Sequence, residues 1–291
     1  MELNGIIFPA PAASYGAEDF EDELIWVPHP NQPEQPSIPC LFLEHSGGSS
    51  KYLFYFHGNA EDLGLALEMM DLLRSYLEVH VVGVEYPGYG LYPGKPSAKR
   101  ILSDASCVFE FFTNLLEIPV NDVILFGRSI GSGPATFLAK DRSVCALILM
   151  SAYTSIKEAA RNIAGRVGKL LVKERFRNID LIAQVFSPTF LMHGQQDNII
   201  PYHHSQRLHE QCSGPCFLHL PAEMDHNFFD YYEDLLLPLS TFLGSCEISP
   251  LPRPGEARCV KIPGGFYHPP PSQPSAKNQG RMHKLMSKLS K

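Results

Sequence analysis

The run Val123-Ile-Leu-Phe-Gly127-Arg128-Ser129-Ile130-Gly131-Ser132-Gly133 decides how this chain is read. Its first half is β-branched and apolar, as a strand buried on both faces should be. It then breaks into Gly-x-Ser-x-Gly. Pro134-Ala-Thr-Phe-Leu-Ala139 follows as a helix, with the proline tolerated in the first turn. That is the sequence form of a nucleophile elbow, where a serine sits on a strained turn and its hydroxyl projects above the sheet. Glycine at 127 and 131 removes the side chains that would collide with the neighbouring strand and helix. The five-residue pattern alone recurs by chance in roughly one chain in ten of this length. The strand before it and the helix after it make Ser129 a candidate nucleophile.

A serine nucleophile needs a base, and the base needs an orienting carboxylate. With a strand–elbow–helix unit the expected chain order is Ser, then Asp or Glu, then His. Two downstream strands end suitably. Thr189 to Met192 runs into His193-Gly-Gln-Gln-Asp197, and Phe217 to Leu220 runs into Pro221-Ala-Glu-Met-Asp225-His226-Asn227. Active groups in open parallel sheets collect at such carboxyl ends. Taken singly, Asp197 also reads as a helix cap and His226 as one of 12 histidines. Taken in order after successive strands, Ser129, Asp197 and His226 form a candidate triad. Glu223 and Asp230 are rival acids on the wrong loop. His193 reads as structural, and His203 and His204 as solvated helix residues.

An acyl-transfer site also needs an oxyanion hole. One donor is expected to be the backbone N–H of Ile130, next after the serine. The second is expected from the loop after the strand Leu53 to Phe56, His57-Gly58-Asn59-Ala60, with the Asn59 N–H preferred and Ala60 the alternative. No cofactor is called for.

Further strands are expected at Leu24–Val27, Ile38–Glu44, His80–Val84 and Ala146–Met150. Helices are expected from about Glu61 to Leu77, from Ser97 (as N-cap) to about Leu116, from Pro201 to Gln211 and from Phe228 to Phe242. Alternating strands and helices predict an α/β fold with a doubly wound, mostly parallel sheet. Three regions emerge: residues 1–37, an extension with the first strand; 38–244, the catalytic domain, with a short helical cap insertion at about 153–184; and 245–291, a Pro-rich basic tail expected to be disordered.

With 44% hydrophobic and 19% charged residues among 291, the chain has the make-up of a soluble globular protein. Its net charge of −7 argues against a nucleic-acid binder. From Ser245 onward there are eight Lys and Arg against two Asp and Glu, a net +6, while the remainder, 16 against 29, is −13. The tail is therefore a candidate for weak contact with anionic membrane. Seven scattered cysteines suit a reducing compartment. Cys212-Ser-Gly-Pro-Cys216 lacks a second pair at zinc spacing, so no metal is expected. No spanning stretch or signal peptide is evident, so the expected location is cytoplasmic and not secreted, with any peripheral membrane contact left to the tail.

Between Leu53 and Leu243 the chain resembles the α/β-hydrolase superfamily, and in particular serine hydrolases of the protein-depalmitoylase branch. The resemblance rests on His57-Gly-Asn-Ala60, Glu85-Tyr-Pro-Gly-Tyr-Gly90 with Gly94-Lys-Pro-Ser97, and Gly127-Arg-Ser-Ile-Gly131. It continues through Asn178-Ile-Asp180, Ser187-Pro188, His193-Gly-x-x-Asp197 and the His226-Asn227 loop. It implies Ser129 as nucleophile, Asp197 as acid and His226 as base. It implies an acylated protein or a small acyl ester as substrate, most of all a palmitoyl-protein thioester. A general short-chain carboxylesterase and a catalytically silent binding protein on the same fold are the alternatives. Two departures stand out. Residues 1–39 hold no cysteine, where that branch carries a palmitoylated cluster, and Asp225 stands where glycine usually precedes the catalytic histidine.

Overall fold

The computed structural model describes residues 7–30, 32, 34–160, 174–252 and 259–269. Its frame is an eight-stranded sheet in the order β1-β2-β4-β3-β5-β6-β7-β8. The strands are β1 Leu24–Val27, β2 Ile38–Leu43, β3 Tyr52–Phe56, β4 His80–Val84, β5 Val123–Arg128, β6 Ala146–Met150, β7 Thr189–Met192 and β8 Cys216–His219. The β1–β2 and β2–β4 pairs are antiparallel, and every pair from β4 to β8 is parallel. All residues of β2, β3, β4 and β6 are buried, which is why these strands read as unbroken apolar runs rather than alternating ones.

Helices cover both faces. α1 (Leu67–Leu77) and α5 (Leu237–Ser245) pack on one side through Met70, Leu73, Leu239 and Phe242. α2 (Ala98–Glu110), α3 (Ser132–Ala139) and α4 (His203–Gln211) pack on the other through Ile101, Val108, Leu138 and Leu208. The expected doubly wound α/β fold is therefore present.

Local chemistry sets the helix limits. The Ser97 hydroxyl accepts the Arg100 N–H at 3.2 Å, so α2 begins where a serine cap predicts. α1 starts six residues later than expected. Asp62 takes the Leu65 N–H at 3.1 Å and the Ser14 N–H at 2.7 Å, and so ties Asp62 to Ala66 into a turn against the N-terminal segment. α5 likewise starts late, because Asp230 accepts the Tyr232 and Glu233 N–H groups at 2.8 Å and opens a wider turn, Tyr231–Leu236. Asp230 thus caps a helix. His204 is also corrected: it is buried against Thr154, 3.0 Å from Oγ1, and burial pushes its imidazole down to about 4.

The sequence after Gly244 departs in part from the expected disordered tail. The Pro250 carbonyl accepts the Ser50 N–H at 2.8 Å, and Val260 donates its N–H to the Tyr52 hydroxyl at 2.9 Å. Ile262 is buried, and the Phe266 ring meets Phe111 edge-on at 4.8 Å. Val260, Ile262 and Phe266, apolar residues inside a Pro-rich stretch, pack with the main apolar core. The basic segment Arg281 to Lys291 lies outside the described residues, as do residues 161–173 of the expected cap insertion, with Ile163, Val167, Leu170 and Leu171. Among the described residues no helix is long and apolar enough to cross a membrane.

Candidate active site

The chain reverses its winding direction at β3, because β4 lies on one side of it and β5 on the other. A crevice opens at the carboxyl ends of strands around such a switch point. Phe56 pairs with Gly127 in register, so the His57–Ala60 loop and the elbow leave the sheet side by side.

The elbow is sharp in fact as well as in pattern. Ser129 has φ 51°, in the left-handed region that a side chain tolerates poorly, and is buried. A Cβ on Gly131 would fall 2.0 Å from the Phe56 carbonyl oxygen, and one on Gly127 would fall 2.5 Å from the Gly131 carbonyl oxygen. Both glycines are therefore required by backbone approach. The Ser132 hydroxyl caps the Ser129 carbonyl at 2.7 Å, and the buried Asn178 amide donates to Ser132 Oγ at 2.9 Å. Asn178, in the segment between β6 and β7, thus braces the elbow from behind.

The loops after β7 and β8 are stacked. Gln195 and Gln196 donate their N–H groups to the Pro221 and Met224 carbonyls, both at 3.0 Å. This pairing brings Asp197 to His226, whose Nδ1 lies 2.7 Å from Asp197 Oδ2. The remaining capacity of the carboxylate is filled. Oδ1 accepts the Ile199 and Ile200 N–H groups at 2.9 and 2.7 Å, and His193 Nε2 stands 3.2 Å from Oδ2. Burial pushes this carboxyl up, but the bonds from His193, His226 and Ile200 outweigh it and hold Asp197 below the usual carboxylate range. His193 is therefore more than the start of a loop: its Nε2 lies 2.6 Å from the Ile200 carbonyl and close to the same carboxylate oxygen. Its own Nδ1 lies 2.7 Å from the Ser205 hydroxyl. Among the described residues, no hydrogen bond joins Ser129 Oγ to His226.

A group depressed in this way stabilises the fold above the unfolded carboxylate value, about 3.9, and loses that contribution as pH falls through its folded value. Asp197→Asn is expected to flatten the acid limb of the stability curve below about pH 4. Melting temperatures of both proteins from neutral pH into acid would show it; parallel curves would remove Asp197 from the account.

The predicted oxyanion loop carries a buried pair missed by sequence reasoning. His57 Nε2 is 3.0 Å from Glu85 Oε1, and its Nδ1 is 2.9 Å from the Gly58 carbonyl. Burial pushes the His57 imidazole down, yet Glu85 more than compensates and the net shift is upward. Glu85 also accepts the Tyr15 hydroxyl at 2.9 Å and the Leu63 and Tyr86 N–H groups at 3.2 and 3.1 Å. Asn59 is exposed; its side-chain amide donates to the Ile7 carbonyl at 2.8 Å, and its Oδ1 accepts the Tyr89 hydroxyl at 2.9 Å. Ala60 has φ 59°, so the loop turns at that residue. Ile130 is buried beside Ser129 at the head of α3. Among the described residues, no cluster of three or more His, Cys, Asp or Glu side chains could hold a metal ion.

The sheet order and this site define an α/β-hydrolase fold, and solved structures share it. An esterase from Pyrococcus furiosus superposes with a TM-score of 0.62 at 14% identity, over 82% of this chain and 97% of its own. Est1E from Butyrivibrio proteoclasticus does so with a TM-score of 0.59 at 15% identity, over 78% and 99%. No protein-family model matches the sequence. Alpha/beta hydrolase domain-containing protein 17B of Homo sapiens is 31% identical over 206 residues, 71% of this chain and 70% of its own length. The 17C protein of Xenopus laevis is 28% identical over 71% of this chain and 65% of its own. The chain belongs to the alpha/beta hydrolase domain-containing protein 17 family, and is thus an α/β hydrolase.

Proposed function

We propose that this protein is a serine hydrolase that cleaves acyl thioesters or esters through Ser129, His226 and Asp197, with a palmitoyl-protein thioester as its preferred substrate class. The observation that carries the reading is the 2.7 Å contact of His226 Nδ1 with Asp197 Oδ2 beside a serine held at φ 51° on a glycine-flanked elbow. Asp197, acceptor-only when ionised, fixes the Nδ1–H tautomer and leaves Nε2 free to take a proton. Ser129 attacks the acyl carbonyl as His226 Nε2 receives its proton. The N–H groups of Ile130 and Asn59 hold the oxyanion, and His226 returns the proton to the leaving thiol or alcohol. Water then attacks the acyl-enzyme by the same route. The chemistry is supplied by protein groups alone.

The long-acyl preference draws support from the rim. Ile199 and Phe228, each two residues past a proposed catalytic side chain, are 41% and 78% exposed, so apolar surface borders the loops of the site. The acylated protein substrate, weak contact of the basic tail with anionic membrane, and a cytoplasmic site of action at the membrane periphery are parts of the same proposal. The test is hydrolysis of a palmitoyl-thioester peptide beside a short-chain ester, by wild type and Ser129→Ala. Ser129-dependent turnover of the thioester is expected. Turnover of the short ester alone would make the protein a general carboxylesterase, and failure of wild type to label with a fluorophosphonate would leave a silent binding scaffold.

A further inference from the structure

Arg128, the first x of Gly-x-Ser-x-Gly, has no part in the chemistry above, yet its side chain reaches both the segment after β3 and the His226 loop. Its side chain is mostly buried. Nη1 donates to Glu61 Oε2 at 2.8 Å. The other oxygen of that carboxylate, Oε1, accepts the Gly58 N–H of the oxyanion loop at 2.5 Å. Nη2 meets groups on a different loop, 3.4 Å from the His226 carbonyl and 3.5 Å from Asn227 Oδ1. The guanidinium therefore does not grip one carboxylate with both arms, as a pair selected for stability alone would. It divides its arms between two loops, and among the described residues its buried Nε has no partner. Its own backbone is the last residue of β5 and joins directly to Ser129.

We propose that Arg128 and Glu61 form a clasp that sets the spacing of the three catalytic loops, so that Arg128 is a positioning residue for both His226 and the oxyanion donors. This rests on the serine-hydrolase reading and deepens it. Glu61 orients the first oxyanion turn through Gly58, Arg128 holds Glu61, and the second arm of Arg128 holds the backbone of the histidine itself. Displacements of about 1 Å in such a site cost on the order of 100-fold in rate. Lysine cannot replace the function, because an ammonium is a single point and cannot reach two loops in fixed directions.

The test uses the full chain and four variants: Arg128→Gln, Arg128→Lys, Glu61→Gln and the double variant E61Q/R128Q. For each, kcat and KM on the substrate that wild type turns over, the fluorophosphonate labelling rate and the melting temperature are measured. The clasp predicts that R128Q lowers kcat and labelling by about 10- to 100-fold with KM little changed. R128K should fail to restore them, although it can still pair with Glu61. The double variant should lose no more than the worse single, as residues acting as one unit do. Wild-type labelling and kcat in R128Q would overturn the clasp. So would a raised KM at constant kcat, which would make Arg128 a substrate contact. Losses that track melting temperature, and disappear when rates are corrected for folded protein, would also overturn it. If R128Q does not fold, R128K and E61Q carry the same readings. Wild type that does not label at Ser129 would instead overturn the hydrolase reading itself.

Discussion

Ser129→Gly is expected to abolish turnover while leaving the protein slightly more stable than wild type. On the proposed mechanism, loss of the triad serine costs catalysis on the order of 10⁴-fold or more, because the acyl-enzyme forms on that hydroxyl. Stability moves the other way because Ser129 is held at φ 51°. A side chain in that region costs about 1–2 kcal/mol, and glycine removes this strain. Part of the gain is returned because glycine is freer in the unfolded chain, by about 0.4–1 kcal/mol. A net gain of about 0.5–1 kcal/mol remains, a rise of roughly 2 °C in melting temperature. Ser129→Ala, which keeps the strain, should be equally inactive without the gain. Residual thioester or ester turnover above about 1% of wild type in either variant would exclude Ser129 as nucleophile. A destabilised Ser129→Gly would mean that the elbow is not strained.

Gly131→Ala is expected to be among the most damaging single-methyl changes at the described glycines. The added Cβ would stand 2.0 Å from the Phe56 carbonyl oxygen and 2.8 Å from that of His57, both backbone atoms of β3 and the loop that follows it. Neither can move without breaking the β3–β5 ladder, in which Phe56 pairs with Gly127. Strain of this kind belongs to the rare class above about 4 kcal/mol. The melting temperature should fall by about 10 °C or more, and labelling of any folded remainder should fall further, because the same contact sets the oxyanion loop against the elbow. Denaturation of Gly131→Ala beside a surface control such as Gly244→Ala, where a Cβ meets nothing within 4 Å, would separate the contact from the loss of glycine. Equal stability of the two would show that the β3 end is pliant.

Much of the candidate site's geometry was legible in the chain because its signals are local. An apolar run followed by Gly-x-Ser-x-Gly specifies strand, sharp turn and helix within a dozen residues, and both glycines prove to be required by backbone contacts. Asp197 and His226 could be named from strand endings and order, and the structure joins them by one hydrogen bond. Helix starts were less legible. Asp62 and Asp230 carry side chains that divert the backbone into turns, and their effect depends on which N–H groups they reach. His204 and the segment around Ile262 were misread for a related reason. Burial is decided by what lies opposite, and Thr154 and Phe111 lie far away in sequence.

By itself, then, the sequence determined the α/β order, the elbow and the identity of the acid and base candidates, since each follows from periodicity, from backbone conformation or from position after a strand. The tertiary structure alone decided that His193 stands close to the Asp197 carboxylate, that Asn178 braces Ser132, that His57 pairs with Glu85, and that Arg128 spans Glu61 and the His226 loop. Most of these contacts join residues on separate loops, and all depend on the rotamers and loop paths that close packing selects. No local pattern encodes them, because hydrogen-bond geometry is settled only when the sheet has brought the strand ends together.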